Sequence, residues 1–185
     1  MQMKGRIFAV IADGFEELEL IAVADIMKRL GFEFVLASLR DDLKVVGAHQ
    51  IKMECDAALK ELNIDDFDGI FLPGGMPGSL SLYESEELRG IIQKMNEDEK
   101  LVSAICAAPM VLAKAGVLKN REFTMYPGMD QYLNGEKYSS QLVVKSENIV
   151  TGKGPGAAVK LGLCIGEYFG LTEEVSALKK AMFID

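Results

Sequence analysis

Three short segments hold the residues able to do covalent or acid–base chemistry. In Leu101-Val102-Ser103-Ala104-Ile105-Cys106-Ala107-Ala108-Pro109, a buried strand is predicted to stop and a helix to start within about two residues, Pro109 being suited to the first helical turn. Cys106 is at the bend. The unpaired N–H groups and positive dipole end of the following helix favour thiolate over thiol. Small neighbours, Ala104, Ala107 and Ala108, let the backbone turn sharply and leave the sulfur accessible, as in the nucleophile elbows of other α/β enzymes. That geometry suits attack on a carbonyl or an oxidant. Cysteine is also among the most buried residue types, so the local sequence leaves open a plain packing role.

The second segment is acidic. Asp13-Gly14-Phe15-Glu16 has the spacing of a capping box, and Glu16, Glu17 and Glu19 crowd the start of the next helix, where carboxylates complement the dipole. Glu19 shares a side with Val23, close to the buried stripe, so it is also a candidate to face the sheet's carboxyl edge. Beside a thiolate its pKa would be raised by like charge and burial, letting it donate a hydrogen bond to sulfur or shuttle a proton. The third segment, Leu72-Pro73-Gly74-Gly75, reads either as a tight turn or as a loop whose backbone N–H groups face an oxyanion. Gly152-Lys153-Gly154-Pro155-Gly156 lacks the GK[ST] ending of a Walker loop; it reads as a turn into the last large helix, with a wall of the site as the lesser option.

The elements that must position these segments follow from periodicity. Short β-branched or aromatic runs alternate with helical patterns, the form of repeated βαβ units around a mostly parallel sheet. Strands are predicted at Arg6 to Ala12, Phe32 to Ser38, Gly69 to Leu72 and Leu101 to Ile105, with Val45 to Met53 a hairpin or edge excursion. Further short strands are expected near Phe123 to Met125, Leu142 to Lys145 and Ile149 to Thr151. Leu20, Val23, Ala24 and Met27 recur at helical spacing, predicting a helix from about Glu16 to Leu30 that Gly31 ends. Other helices are expected over Glu84 to Asp98 (polar and exposed), Ala107 to Ala115, Pro155 to Phe169 and Glu173 to Ala181. In such open sheets ligands sit outside the carboxyl ends of the strands, where all three chemical segments fall.

At 185 residues with 49 % hydrophobic and 26 % charged composition, the chain is expected to form one domain, 1–185. The longest nearly uninterrupted apolar run, Ala104 to Ala113, is ten residues, against the ~18 a spanning helix needs. Lys4 and Arg6 precede only six apolar residues, Ile7 to Ala12, fewer than the ~7–15 of a secretory signal. A cytoplasmic protein with no membrane partner is expected. Net charge is −8 and no basic run interrupts it, which argues against nucleic acid as a partner. The three cysteines and single histidine lack the spacing of a disulfide framework or zinc site. Cys164 is expected to pack in the core. Cys55, beside Glu54 and Asp56, is expected at a surface or interface, where nearby carboxylates would raise its pKa.

Taken in order, Phe15-Glu16-Glu17-Leu18-Glu19, Leu72-Pro73-Gly74-Gly75, Ala104-Ile105-Cys106-Ala107-Ala108-Pro109 and Gly154-Pro155-Gly156 resemble the ThiJ/PfpI superfamily, most of all its parkinsonism-associated deglycase branch. The resemblance runs from Arg6 to about Gly170. It implies a flavodoxin-like α/β sandwich, a mostly parallel sheet with helices on both faces and a nucleophile elbow, usually as a homodimer and with no metal or organic cofactor. It also implies that Cys106 is the reactive cysteine, Glu19 the protonated glutamate bonded to it, and the N–H groups of Gly75 and Ala107 the anion donors. Gly74, Tyr126, Pro127, Gly154 and Pro155 are the expected pocket. Chemistry credited to the branch is glutathione-independent glyoxalase activity, which turns methylglyoxal into lactate, repair of early glycation adducts, and oxidation of the cysteine to sulfinic acid, read as redox sensing.

The departures from that pattern carry information. Protease-like members place His directly after the cysteine, where this chain has Ala107, so a peptidase lacks its base. Related amidotransferases need a His downstream of the cysteine, and none follows Cys106. Tyr126 stands where some branch members have His; a phenol donates a hydrogen bond but is a poor general base at neutral pH. His49, with Arg29, is expected at a solvated or interface position, with approach to a neighbouring subunit's site as the lesser option. Three functions remain: an enzyme acting on small reactive carbonyls or glycated substrates, a redox-sensing or chaperone-like stress protein, and a binding fold without useful catalysis.

Overall fold

The computed structural model describes residues 3–184. In chain order the elements are β1 (Arg6–Ile11), α1 (Glu17–Leu30), β2 (Glu33–Ser38), β3 (Lys44–Val46), β4 (Lys52–Glu54), β5 (Ala57–Ala58), β6 (Gly69–Leu72), α2 (Gly78–Glu84), α3 (Glu86–Glu97), β7 (Leu101–Ile105), α4 (Pro109–Lys114), β8 (Val143–Ser146), β9 (Ile149–Gly152), α5 (Ala158–Tyr168) and α6 (Thr172–Ala181). The sheet runs β5-β2-β1-β6-β7-β9-β8. It is parallel except where β8 meets β9. Its central strands β2-β1-β6-β7-β9 have the doubly wound order of flavodoxin-like folds, whose switch point lies between the first strand and the third. That point is the β1–β6 boundary here.

Burial on both faces explains why the central strands read as continuous apolar runs. On β1, Ile7, Ala9 and Ile11 pack with Leu20 and Val23 of α1 and Leu161 and Ile165 of α5. Phe8 and Val10 point the other way, into a second cluster with Leu88 and Ile92 of α3 and Val111 and Leu112 of α4. Helices therefore cover both sides. α1 ends as its sequence predicts, with Gly31 at φ 95° accepting the left-handed turn that glycine tolerates best. Among the described residues no helix is long and apolar enough to cross a membrane.

Several expectations are corrected. The helix expected over Glu84 to Asp98 is α3, started by the Ser85 hydroxyl accepting a hydrogen bond from Leu88 N–H, but a further short helix, α2, precedes it where none is expected. α3 also buries Leu88, Ile92 and Met95, a stripe masked in sequence by the charges around it. Near Phe123 to Met125 there is only a bridge from Thr124 to Ser139, since Thr124 N–H is taken by the Thr151 hydroxyl. Cys55 is buried, not at a surface; burial first, and Asp56 second, push its thiol up to about 11. Cys164 packs against the core as expected but is only half-buried there.

Candidate active site

Cys106 follows β7 in a left-handed conformation, φ 62°, which costs a non-glycine residue of order 1–3 kcal/mol and persists only where its surroundings impose it. Two hydrogen bonds impose it here. Cys106 N–H donates to Gly152 O at 3.0 Å, and Cys106 O accepts from Tyr126 N–H at 2.8 Å. The bend turns the sulfur toward the N–H groups of Ala107 and Gly75, both of which favour its anion.

Glu19 reaches the same place from the first turn of α1. The cap of that helix is Glu16, whose carboxylate accepts from Glu19 N–H at 2.7 Å; the capping role read for Asp13 is corrected. Asp13 instead accepts from Val46 N–H at 2.9 Å and ties the β3–β4 hairpin down. Glu16 N–H donates to Gly74 O at 2.9 Å, stitching the loop after β1 to the loop after β6. Glu19 is fully buried. Its Oε2 accepts from Gly74 N–H at 2.7 Å, and Oε1 has no hydrogen-bond partner among the described residues.

Gly74 and Gly75 are both required by space. A side chain on Gly74 would strike Cys106 and Glu19, and one on Gly75 would run into the backbone of Glu16 and Gly14. Gly75 also sits at φ 91°. The paired glycines thus let two loops and a cysteine elbow close on one point.

The electrostatics of that point correct the simple helix-dipole expectation. α4 is only six residues long and starts at Pro109. The Cys106 thiol is pushed up to about 12 by burial, by the Glu19 charge and by the bond to Glu19, in that order, against the lowering effect of the two amides. Glu19 is itself raised to about 7 by burial, with Gly74 N–H and Cys106 opposing and Glu16 adding to the rise. The two groups titrate as a pair: low-dielectric surroundings forbid two adjacent anions, so the pair keeps a proton far above neutrality. The amides on sulfur and the amide on Glu19 Oε2 compete over which atom holds it.

The expected pocket divides in two. Tyr126, Pro127, Gly154 and Pro155 line a recess of about 240 Å³ together with Lys153, whereas Gly74 lies on the Glu19 side and outside it. Cys106 does not line that recess but joins it through the Tyr126 amide. The Tyr126 ring is half exposed and packs over Gly154. His49, expected at a solvated position, has an exposed ring with Nδ1 at 2.7 Å from Glu17 Oε2; Glu17 also accepts from His49 N–H at 2.7 Å. Glu16, Glu17 and His49 bring potential ligand atoms within 4.8 Å of one another, but Glu17 is already engaged by His49 and Glu16 by the helix cap. Sequence reasoning missed the roles of Glu16, Gly152 and Asp13, since nothing local says which of four neighbouring carboxylates will cap, clamp or be buried.

The DJ-1/PfpI family model matches residues 5–167. The chain belongs to the DJ-1/PfpI family. Protein dj-1beta of Drosophila melanogaster is 34 % identical over 177 residues, 95 % of each chain, and its crystal structure superposes with a TM-score of 0.92 at 33 % identity, covering 99 % of this chain and 100 % of that one. A deglycase of Pyrococcus abyssi is 36 % identical over 154 residues, 82 % of this chain and 91 % of the relative. A glutathione-independent glyoxalase of Caenorhabditis elegans is 32 % identical over 168 residues, 90 % and 89 %. The chain spans only 41 % and 46 % of two Arabidopsis thaliana relatives, DJ-1 homologs B and A. Members of the DJ-1/PfpI family named as enzymes thus share most of this chain.

Proposed function

We propose that this protein is a cysteine-dependent enzyme of carbonyl stress defence, of the glutathione-independent glyoxalase or deglycase type. The observation that supports it most is the meeting of Cys106 and Glu19 with the N–H groups of Gly75 and Ala107 at the carboxyl edge of the sheet. In the reactive form of the pair the thiol proton resides on Glu19. The thiolate adds to the aldehyde carbon of an α-oxo aldehyde, forming the S–C bond, and the Gly75 and Ala107 amides hold the oxyanion. The carboxyl protonates it, and the resulting carboxylate moves the C1 proton to C2. This leaves a thioester of the 2-hydroxy acid, which water hydrolyses to release the acid and the thiol. A methylglyoxal molecule and one water give lactate and a proton, so no redox partner is consumed.

Incubating the protein with methylglyoxal and following lactate by NMR tests this. Turnover is expected, with loss in Cys106→Ala and a decrease of about 10²-fold or more in Glu19→Gln. Equal turnover by Cys106→Ala defeats it.

A second reading, a redox sensor, is favoured by the unpartnered Oε1 of Glu19, which as a neutral acid would donate to a sulfinate on Cys106. Mass spectrometry after mild peroxide should then place two oxygens on Cys106 before any reaches Cys55 or Cys164. For the expected homodimer, the face we favour is Leu18 and Ile21 of α1 beside Ile51, three exposed apolar side chains. Size-exclusion chromatography of Ile21→Glu, expected to elute as monomer, tests it.

A further inference from the structure

Away from Cys106, the antiparallel edge of the sheet is not sealed. Between β8, α5 and the chain beyond α6 lies a cavity of about 540 Å³, within the ~300–1,000 Å³ that small-molecule sites occupy. Val143, Val159, Leu163 and Ile184 make it apolar, and Lys160, Lys179 and Glu167 supply its charged groups. We propose that this cavity binds a medium-chain carboxylate, its alkyl chain against the apolar wall and its head group at Lys160 and Lys179.

The charge pattern selects the head group. Across a chain of net charge −8, this spot carries two ammonium groups against one carboxylate, and neither lysine forms an ion pair among the described residues. A neutral or cationic ligand would leave both cations uncompensated, whereas a carboxylate satisfies them with charge-assisted hydrogen bonds. The apolar wall selects a chain rather than a bare anion, since inorganic ions gain nothing from Leu163 or Val159. Cys164 is also on the wall, half-buried, and Lys160 and Lys145 both act on its thiol. The sulfur is therefore a built-in reporter of occupancy, chemically separate from Cys106.

The test is a titration of the full chain with octanoate, decanoate and decyltrimethylammonium below their micelle concentrations. Calorimetry gives affinity, and peptide mass spectrometry gives the maleimide labelling rate at each cysteine. Decanoate is expected to bind saturably, to slow Cys164 labelling at least tenfold while Cys106 labelling is unchanged, and to bind more tightly than octanoate by about fourfold per methylene. Lys160→Gln/Lys179→Gln, which keeps most of each side chain's length, should weaken decanoate at least tenfold without moving the melting temperature. The proposal is overturned by decanoate failing to protect Cys164, by equal binding of decyltrimethylammonium, or by no dependence on chain length. The wild-type series alone decides these, whether or not the double variant folds.

Discussion

Cys106 Cβ and Glu19 Oε2 flank Gly74 so closely that a Cβ added there would stand 2.6 Å from the first and 2.7 Å from the second. The acid and the thiol therefore meet only because the residue between them has no side chain. Gly74→Ala must push one of them away, at a cost of about 1–3 kcal/mol. Chemical denaturation should show that loss together with a fall in methylglyoxal turnover of at least tenfold. A variant as stable and active as the parent would contradict the tight packing.

Glu19 makes stability depend on pH with a definite sign. Its folded value of about 7 lies above the ordinary 4.5 because burial penalises the carboxylate. Its favourable contribution is fully present below about 4.5 and is lost as pH rises through about 7, a change of roughly 3 kcal/mol. Other carboxylates titrate too, so the readout is the difference between parent and Glu19→Gln in urea unfolding from pH 4.5 to 8. The variant should gain on the parent as pH rises; a constant difference would refute the raised pKa.

Glu17 and His49 form the opposite kind of pair. Burial works to raise Glu17, but the His49 ring and the amides of His49 and Ile51 outweigh it and hold the carboxyl below its usual range. The bond to Glu17 in turn raises His49. An NMR titration should find His49 above the ordinary 6.5 of an imidazole, with Glu17→Gln returning it toward that value. The stabilisation from His49 is present below 6.5 and disappears as pH rises through the folded value. An unshifted ring in the parent would break this link.

The left-handed backbone at Cys106 predicts an inverted ranking of small substitutions. In ordinary strand or helix positions Gly is less stable than Ala by roughly 0.5–1 kcal/mol. At this elbow Cys106→Gly should be more stable than Cys106→Ala by about 1 kcal/mol, because only the former relieves the positive φ. Paired denaturation curves measure it, and the usual order would mean that the elbow is unstrained.

Much of the architecture was legible before any coordinates. The β1 and β7 runs, the α1 stripe through Leu20, Val23 and Met27, and the stop at Gly31 are local patterns whose period and end signals survive folding. The short helix α2 and the buried stripe of α3 were not legible, because a glycine-led turn of helix reads as loop and a few apolar residues among charges read as an exposed face. Cys55 misled for a related reason: flanking acids describe neighbours in sequence, and burial is set by what packs from elsewhere.

The amino-acid order by itself determined that a cysteine would sit at a strand-to-helix corner, that glycines would follow β6, and that acids would crowd the start of α1, since each depends on residues within a few positions. Only the tertiary structure decided that Glu19, of the two buried among four neighbouring carboxylates, is the one that meets Cys106, and that the thiol and carboxyl titrate together. Those outcomes depend on water being excluded where the ends of β1, β6 and β7 converge. Solvent exclusion is a property of three loops assembled in space and of no single segment.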